Sequence, residues 1–206
     1  MSNKITFFRP SPRDVYLAFS GGVDSAVLLK LLSVKKIKVT LLWIDHYTEW
    51  CVQEEEFARE AAKEYGIPLV VRSIGKEQVN TSLEAFWSVE RDKIYQSMDK
   101  PVLTGHHLND AVEWYLMSTF QGTPKLINYQ NRNVIRPLLL TKKQSIIDFA
   151  MNHSLSFISD PSNQDSGFNL RNKVRIKLMP NVIESFPGIY TTVARLIRMK
   201  ERNENG

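Results

Sequence analysis

The chain has 206 residues, 43% of them hydrophobic and 24% charged, which suits one domain, or one domain with an appendage, built around a full core. A net charge of +5 points mildly toward an anionic partner, and the charge is concentrated: eight Lys or Arg lie from Arg171 to Arg202 against only Glu184 and Glu201. The single cysteine, Cys51, excludes an intrachain disulfide, a Cys-rich zinc site and a thiol pair and suits a reducing cytoplasm, while the lack of a signal-peptide pattern or of about 18 consecutive apolar residues argues against export and membrane spanning.

Residues 15–19 are an apolar run that predicts a strand, and 26–32 follow a helical pattern. Between them stands Ser20-Gly21-Gly22-Val23-Asp24-Ser25. Two adjacent glycines let the backbone turn sharply, and the first N–H groups of the following helix have no intrahelical partner, so this segment predicts a phosphate site. Ser20 and Ser25 add hydroxyl donors. The carboxylate of Asp24 would repel a bare polyphosphate, which implies Mg²⁺ between them, with Asp24 as its ligand; a plain acidic residue at a helix start is the alternative. No Lys follows the glycines, so the loop is not the GxxxxGK[ST] type, nor is it GxGxxG.

A second strand is expected over 38–44, ending at Asp45 and His46. Further expectations are a helix over 53–65, a strand over 67–74, a helix over 81–98 and a strand over 101–104. Alternation of this kind predicts an α/β fold with a parallel sheet and ligands outside the carboxyl ends of its strands. Ser20 to Ser25, Asp45 with His46, and Gly105 to Asp110 should then face one pocket. In the helix beginning near 106, His106, Asp110 and Glu113 are expected on one face; adjacent His106 and His107 cannot give zinc-ligand spacing, and His107 with Asp110 forming a helix cap is the alternative. An extended piece is expected over 134–139, a helix over 142–152, and basic helical segments over 170–183 and 189–203. These last form an appendage, giving a core over 1–159 and an extension over 160–206. Arg171 and Arg175, four apart, could present two guanidinium groups to phosphate or carboxylate, or simply lie on a solvated face.

The SGGVDS loop resembles that of the ATP pyrophosphatase (PP-loop) superfamily, which implies an adenine nucleotide alpha hydrolase-like fold and ATP cleavage to AMP and pyrophosphate. Gly105-His106-His107-Leu108-Asn109-Asp110-Ala111-Val112-Glu113 resembles the GHHxDDxxET segment of the tRNA(Ile)-lysidine synthetases, with Asn109 and Trp114 replacing Asp and Thr. Asp160-Pro161-Ser162-Asn163, then Arg171-Asn172-Lys173-Val174-Arg175 and Leu178-Met179-Pro180, resemble the same family's D-x-S-N, R-N-x-x-R and L-x-P segments. Arg136-Pro137-Leu138-Leu139 and Asp45-His46 are similar too, although the Arg that usually follows the latter is missing.

This resemblance implies a ligase that uses ATP and Mg²⁺ to adenylate C2 of the wobble cytidine in a CAU-anticodon tRNA(Ile), after which L-lysine displaces AMP. It further implies that Ser20, Gly21, Gly22, Val23, Asp24 and Ser25 hold the phosphates, with Asp45 and His46 near the adenosine. Asp24, His107, Asp110 and Glu113 would serve catalysis, and Asp160, Ser162, Asn163, Arg171, Asn172 and Arg175 would hold tRNA or transition-state charge. A homodimer is left open. Two alternatives stand beside it: another adenylating tRNA modifier such as a thiolase, and an impaired ATP- and tRNA-binding protein, the latter suggested by Asn109 and Trp114.

Overall fold

The computed structural model describes residues 5–75, 83–158 and 170–204. Its first half alternates β1 (Asp14–Ala18), α1 (Val23–Val34), β2 (Lys38–Asp45), α2 (Cys51–Tyr65), β3 (Leu69–Ser73), α3 (Leu83–Ser97), β4 (Val102–Leu103) and α4 (Leu108–Phe120). A short hairpin follows, β5 (Gln130–Asn131) and β6 (Val134–Ile135), and then α5 (Lys143–Asn152). Beyond the D-x-S-N segment come α6 (Leu170–Lys173), a π-helical turn (Val174–Leu178), α7 (Met179–Ser185) and α8 (Ile189–Asn203).

The sheet order is β3-β2-β1-β4-β6-β5, parallel throughout except where β5 pairs antiparallel with β6. Burial of β2 from Val39 to Ile44 without alternation follows from having helices on both faces. On one face α1, apolar almost all round, packs into the main core with Leu17, Leu41 and Ile146. On the other, Phe86, Trp87, Ile94 and Tyr95 of α3 cover Leu42, Ile44 and Val102.

The expected alternation is therefore present, with two local differences. The hairpin strand β5 is two polar residues long and offers no apolar alternation, so the sequence carries no strand signal for it. The extended piece expected over 134–139 ends after Ile135, because Pro137 lacks an N–H for a ladder and the chain turns, Leu139 N–H donating to Arg136 O at 3.2 Å.

The basic C-terminal helix α8 docks by an amphipathic face. Tyr190, Val193, Ala194 and Ile197 recur at helical spacing on α8, are buried, and join the main core. The buried Glu201 on the same face accepts the Tyr129 N–H at 3.0 Å and pairs with Arg9 at 3.0 Å. No helix among the described residues is long and apolar enough to cross a membrane.

Candidate active site

From β1 the chain moves through β2 to β3 on one side and returns by α3 to place β4 on the other side of β1. The carboxyl ends of β1 and β4 thus flank the point where the strand order reverses, where a crevice opens in such sheets. The phosphate loop leaves β1 into this crevice, and Thr104 to His107 leave β4 beside it.

Gly21 adopts φ +77, and a Cβ there would lie 2.8 Å from the Ile158 side chain and 2.9 Å from Phe57. Only glycine fits both the left-handed backbone and the close approach. The loop is further tied by the Ile158 N–H donating to Gly21 O at 3.0 Å. Asp160, Ser162 and Asn163 themselves lie outside the described residues. Gly22 is the N-cap of α1 without any side-chain cap, Val23 opens the helix, and Ser25 donates through Oγ to Gly22 O at 2.8 Å while lying 3.5 Å from Ser20 Oγ. The first turn of α1 therefore keeps its N–H groups for an anion. Gly105 holds the β4 loop against it: a Cβ there would meet Asp24 Cβ at 3.0 Å and the Asp24 carbonyl carbon at 3.2 Å.

Asp24 already has a cation of the protein's own. Lys143 at the start of α5 places Nζ 2.7 and 2.8 Å from its two carboxylate oxygens, each side chain about one third exposed. Mg²⁺ still fits the donor set, because it takes one or two carboxylates, several waters and phosphate oxygens rather than a protein cage. No group of three or more His, Cys, Asp or Glu that could hold a metal by itself occurs among the described residues.

His107 links this end of the site to the next. It is the extended N-cap of α4, its Nδ1 accepting the Asp110 N–H at 3.4 Å while Asp110 Oδ2 accepts the His107 N–H at 2.8 Å. That reciprocal cap, raised in the sequence as an alternative, is present. With Nδ1 accepting from the backbone, the proton is assigned to Nε2, which lies 3.5 Å from Asp24 Oδ1. His106 precedes the cap and so leaves the expected helical face; it pairs with Thr104 Oγ1 at 2.9 Å instead. Burial first, then the Arg136, Arg171 and Arg91 charges, hold it neutral with a pKa of about 3 against the pull of Asp110.

Asp110 and Glu113 are buried, and all four of their carboxylate oxygens accept hydrogen bonds. Arg171 donates to Asp110 Oδ1 at 2.7 Å and to Glu113 Oε2 at 3.2 Å. Arg175 grips Glu113 through both oxygens at 2.9 Å and reaches Asp110 Oδ1 at 3.3 Å. Burial raises the Asp110 pKa, but the Arg171 guanidinium and the hydrogen bond from the His107 backbone N–H favour the carboxylate, and the carboxyl is held below its usual range. The two arginines thus direct their donors to carboxylates on α4, across the π-helical turn that follows α6. Asn172 between them is buried.

Asp45 caps its own strand end, accepting the Tyr47 N–H at 2.7 Å. His46 packs edge-on to Trp87 at 5.4 Å and is kept neutral with a pKa of about 4, by burial first and the Arg91 charge second. Its Nε2 is buried without a hydrogen-bond partner among the described residues. Asn109 does not act on the crevice directly: it donates to the Tyr190 hydroxyl at 2.8 Å and accepts the Lys143 N–H at 2.9 Å. The Trp114 indole, 42% exposed, takes no part in the hydrogen bonds that hold Asp110 and Glu113. Lys143 was missed from sequence. Its signal was present, two lysines at a helix start where the dipole disfavours them.

The PP-loop domain family profile matches residues 2–182. A tRNA(Ile)-lysidine synthase of Francisella tularensis subsp. novicida (strain U112) is 29% identical over 221 aligned positions, covering 98% of this chain and 54% of the relative. One from Vibrio parahaemolyticus serotype O3:K6 (strain RIMD 2210633) is 31% identical, covering 92% and 47% respectively. The chain spans about half the length of the curated relatives it matches. Among solved structures, an NMN synthetase from Francisella tularensis shares the fold at a TM-score of 0.50 and 19% identity, covering 69% of this chain and 62% of that one. The matching profile spans the glycine loop, the uncapped start of α1 and the flanking β4 segment, and the chain belongs to the PP-loop domain family.

Proposed function

We propose that this chain is a lysidine-forming ligase that adenylates C2 of the wobble cytidine in a CAU-anticodon tRNA(Ile) with ATP and then lets the lysine amine displace AMP. The observation that carries it is the continuous polar path from Asp24 through His107 and Asp110 to Glu113, Arg171 and Arg175, laid along the crevice where the phosphate loop opens. The names of the similar proteins supply the substrate class.

In this reading the first turn of α1, with Ser20, Gly21, Gly22, Val23 and Ser25, binds the pyrophosphate portion of ATP, and Asp45 and His46 border the adenosine. Asp24 would hold Mg²⁺ bound with the nucleotide, and the ion would supply neutralisation of the polyphosphate charge. The His107 Nε2–H donates toward an oxygen in the crevice, its ring fixed by the Asp110 cap. Asp110 and Glu113 act by orienting this network, since their oxygens are already occupied by donors and neither is a free base. For tRNA, the open cations are Lys173, Lys177, Arg195, Arg198 and Arg202, all exposed and outside any ion pair among the described residues. A cytoplasmic setting follows from that substrate.

The Cys51 thiol is pushed up by desolvation and then by the Asp45 and Glu54 charges, so it offers no activated thiolate for sulfur chemistry. Nucleoside mass spectrometry of CAU-anticodon tRNA after incubation with protein, ATP, Mg²⁺ and lysine tests the proposal. A lysine adduct on cytidine with AMP and pyrophosphate is expected. A sulfur adduct when a donor is supplied, or unchanged RNA despite tight binding, would replace the reading by a thiolase or a binding protein.

A further inference from the structure

Two lysines begin α5: Lys142 is its N-cap, without a side-chain cap, and Lys143 is its first residue. Positive charge at a helix N-terminus is opposed by the helix dipole, so local preference does not account for them. The Lys142 ammonium lies over the Tyr190 ring, 5.6 Å from its centre. Lys143 reaches the other way, bridging α5 to the first turn of α1 through both oxygens of Asp24. Its backbone is fixed by Asn109 Oδ1 at 2.9 Å, which sets where the ammonium can swing.

Stability is a weak reason for this pair. Each side chain is about one third exposed, and ion pairs so open to water contribute little. Position is a better reason. Asp24 lies within the uncapped first turn of α1, so any polyphosphate seated on those N–H groups comes within reach of both charges. Left as it stands, the pair would set a carboxylate against the phosphates and leave an ammonium only one of its three donors to offer them. Exchanging partners removes both faults.

We propose that Lys143 is a phosphate ligand kept in place by Asp24 until nucleotide arrives: the carboxylate then passes to the divalent cation and the ammonium to phosphate oxygens. This rests on the ATP reading above. The exchange conserves charge pairing, since each of the four charged partners ends beside an opposite charge, and it needs no movement of the backbone held by Asn109.

Calorimetric titration of the full chain with a non-hydrolysable ATP analogue plus Mg²⁺, and separately with metal-free pyrophosphate, tests it. Lys143→Gln should weaken the magnesium-bound analogue about tenfold or more, and Lys143→Arg should stay within about threefold of wild type. Asp24→Asn alone should bind metal-free pyrophosphate more tightly than wild type, because the ammonium is released and the repelling carboxylate is gone. Adding Lys143→Gln to Asp24→Asn should abolish that gain. If the double variant binds pyrophosphate as well as Asp24→Asn does, Lys143 merely neutralises Asp24 and the proposal fails. It fails equally if Lys143→Gln binds the magnesium-bound analogue normally. Should wild type bind pyrophosphate but not the analogue, the ATP reading falls while the pyrophosphate comparison still decides the role of Lys143.

Discussion

The Asn109 side-chain amide donates to the Tyr190 hydroxyl on α8 across 2.8 Å, tying the basic C-terminal helix to the start of α4. Its oxygen accepts from Lys143 on α5 at the same time, so one small side chain fixes three helices around the crevice. Asn109→Asp keeps both bonds if the Tyr190 hydroxyl turns to donate, and adds a negative charge favourable to the α5 N-terminus. The variant should retain lysine-dependent AMP formation within about tenfold, equivalent to ~1.4 kcal/mol of barrier. Asn109→Leu loses both bonds and should lower unfolding free energy by about 2 kcal/mol in a urea titration.

Arg171 and Arg175 serve the fold before they serve any ligand. Replacing both with Ala leaves two buried carboxylates, with Glu113 only 3% exposed, facing each other without a cation. Breaking a buried pair in this way costs about 3–5 kcal/mol. The double variant should therefore show a markedly lower urea midpoint, and a midpoint equal to wild type would count against the pairing.

The exposed cations give the opposite signature. Changing Lys173, Lys177, Arg195, Arg198 and Arg202 to Gln should leave each unfolding midpoint nearly unmoved. Each phosphate contact so removed should reduce the slope of log tRNA affinity against log salt by about 0.7 to 0.9. Unchanged slopes would show that RNA binds elsewhere.

Gly105→Ala tests the close approach of the β4 loop to α1. The new methyl would press on the backbone of Asp24 rather than on a flexible side-chain end, so the helix start must shift. Affinity for a magnesium-bound ATP analogue should fall at least tenfold, read by titration, with the sheet intact by circular dichroism.

Partly buried, neutral histidines make the protein sensitive to mild acid. The unfolded chain binds a proton at His46 below about pH 6.5, whereas the folded protein does so only near its pKa of about 4. Stability from this group is complete above the unfolded pKa and declines as pH falls from 6.5 to 4, by about 1.4 kcal/mol per unit. His106, with a pKa of about 3, adds a similar slope over a range that reaches one unit lower. Asp110 contributes in a separate window: its depressed folded pKa adds stability above the unfolded carboxyl range that is lost as pH falls through the folded value. Urea midpoints from pH 7 to 4 should fall, and His46→Phe should flatten the curve.

The phosphate loop was legible in the sequence because its signals are local. Adjacent glycines, hydroxyls and a following apolar helix act within a few residues, as do the strand and helix periods that announce a parallel sheet. Burial of the α8 face could be read in the same way from the spacing of Tyr190, Val193, Ala194 and Ile197. Partnerships across long stretches of chain were decided only by tertiary structure. Asp24 meets Lys143, and Glu113 meets Arg175, because the order of strands brings α1 beside α5 and α4 beside the C-terminal helices. A carboxylate in a sequence shows its charge but not which cation folding will set against it, and that choice joined Asp110 and Glu113 to Arg171 and Arg175 in one network.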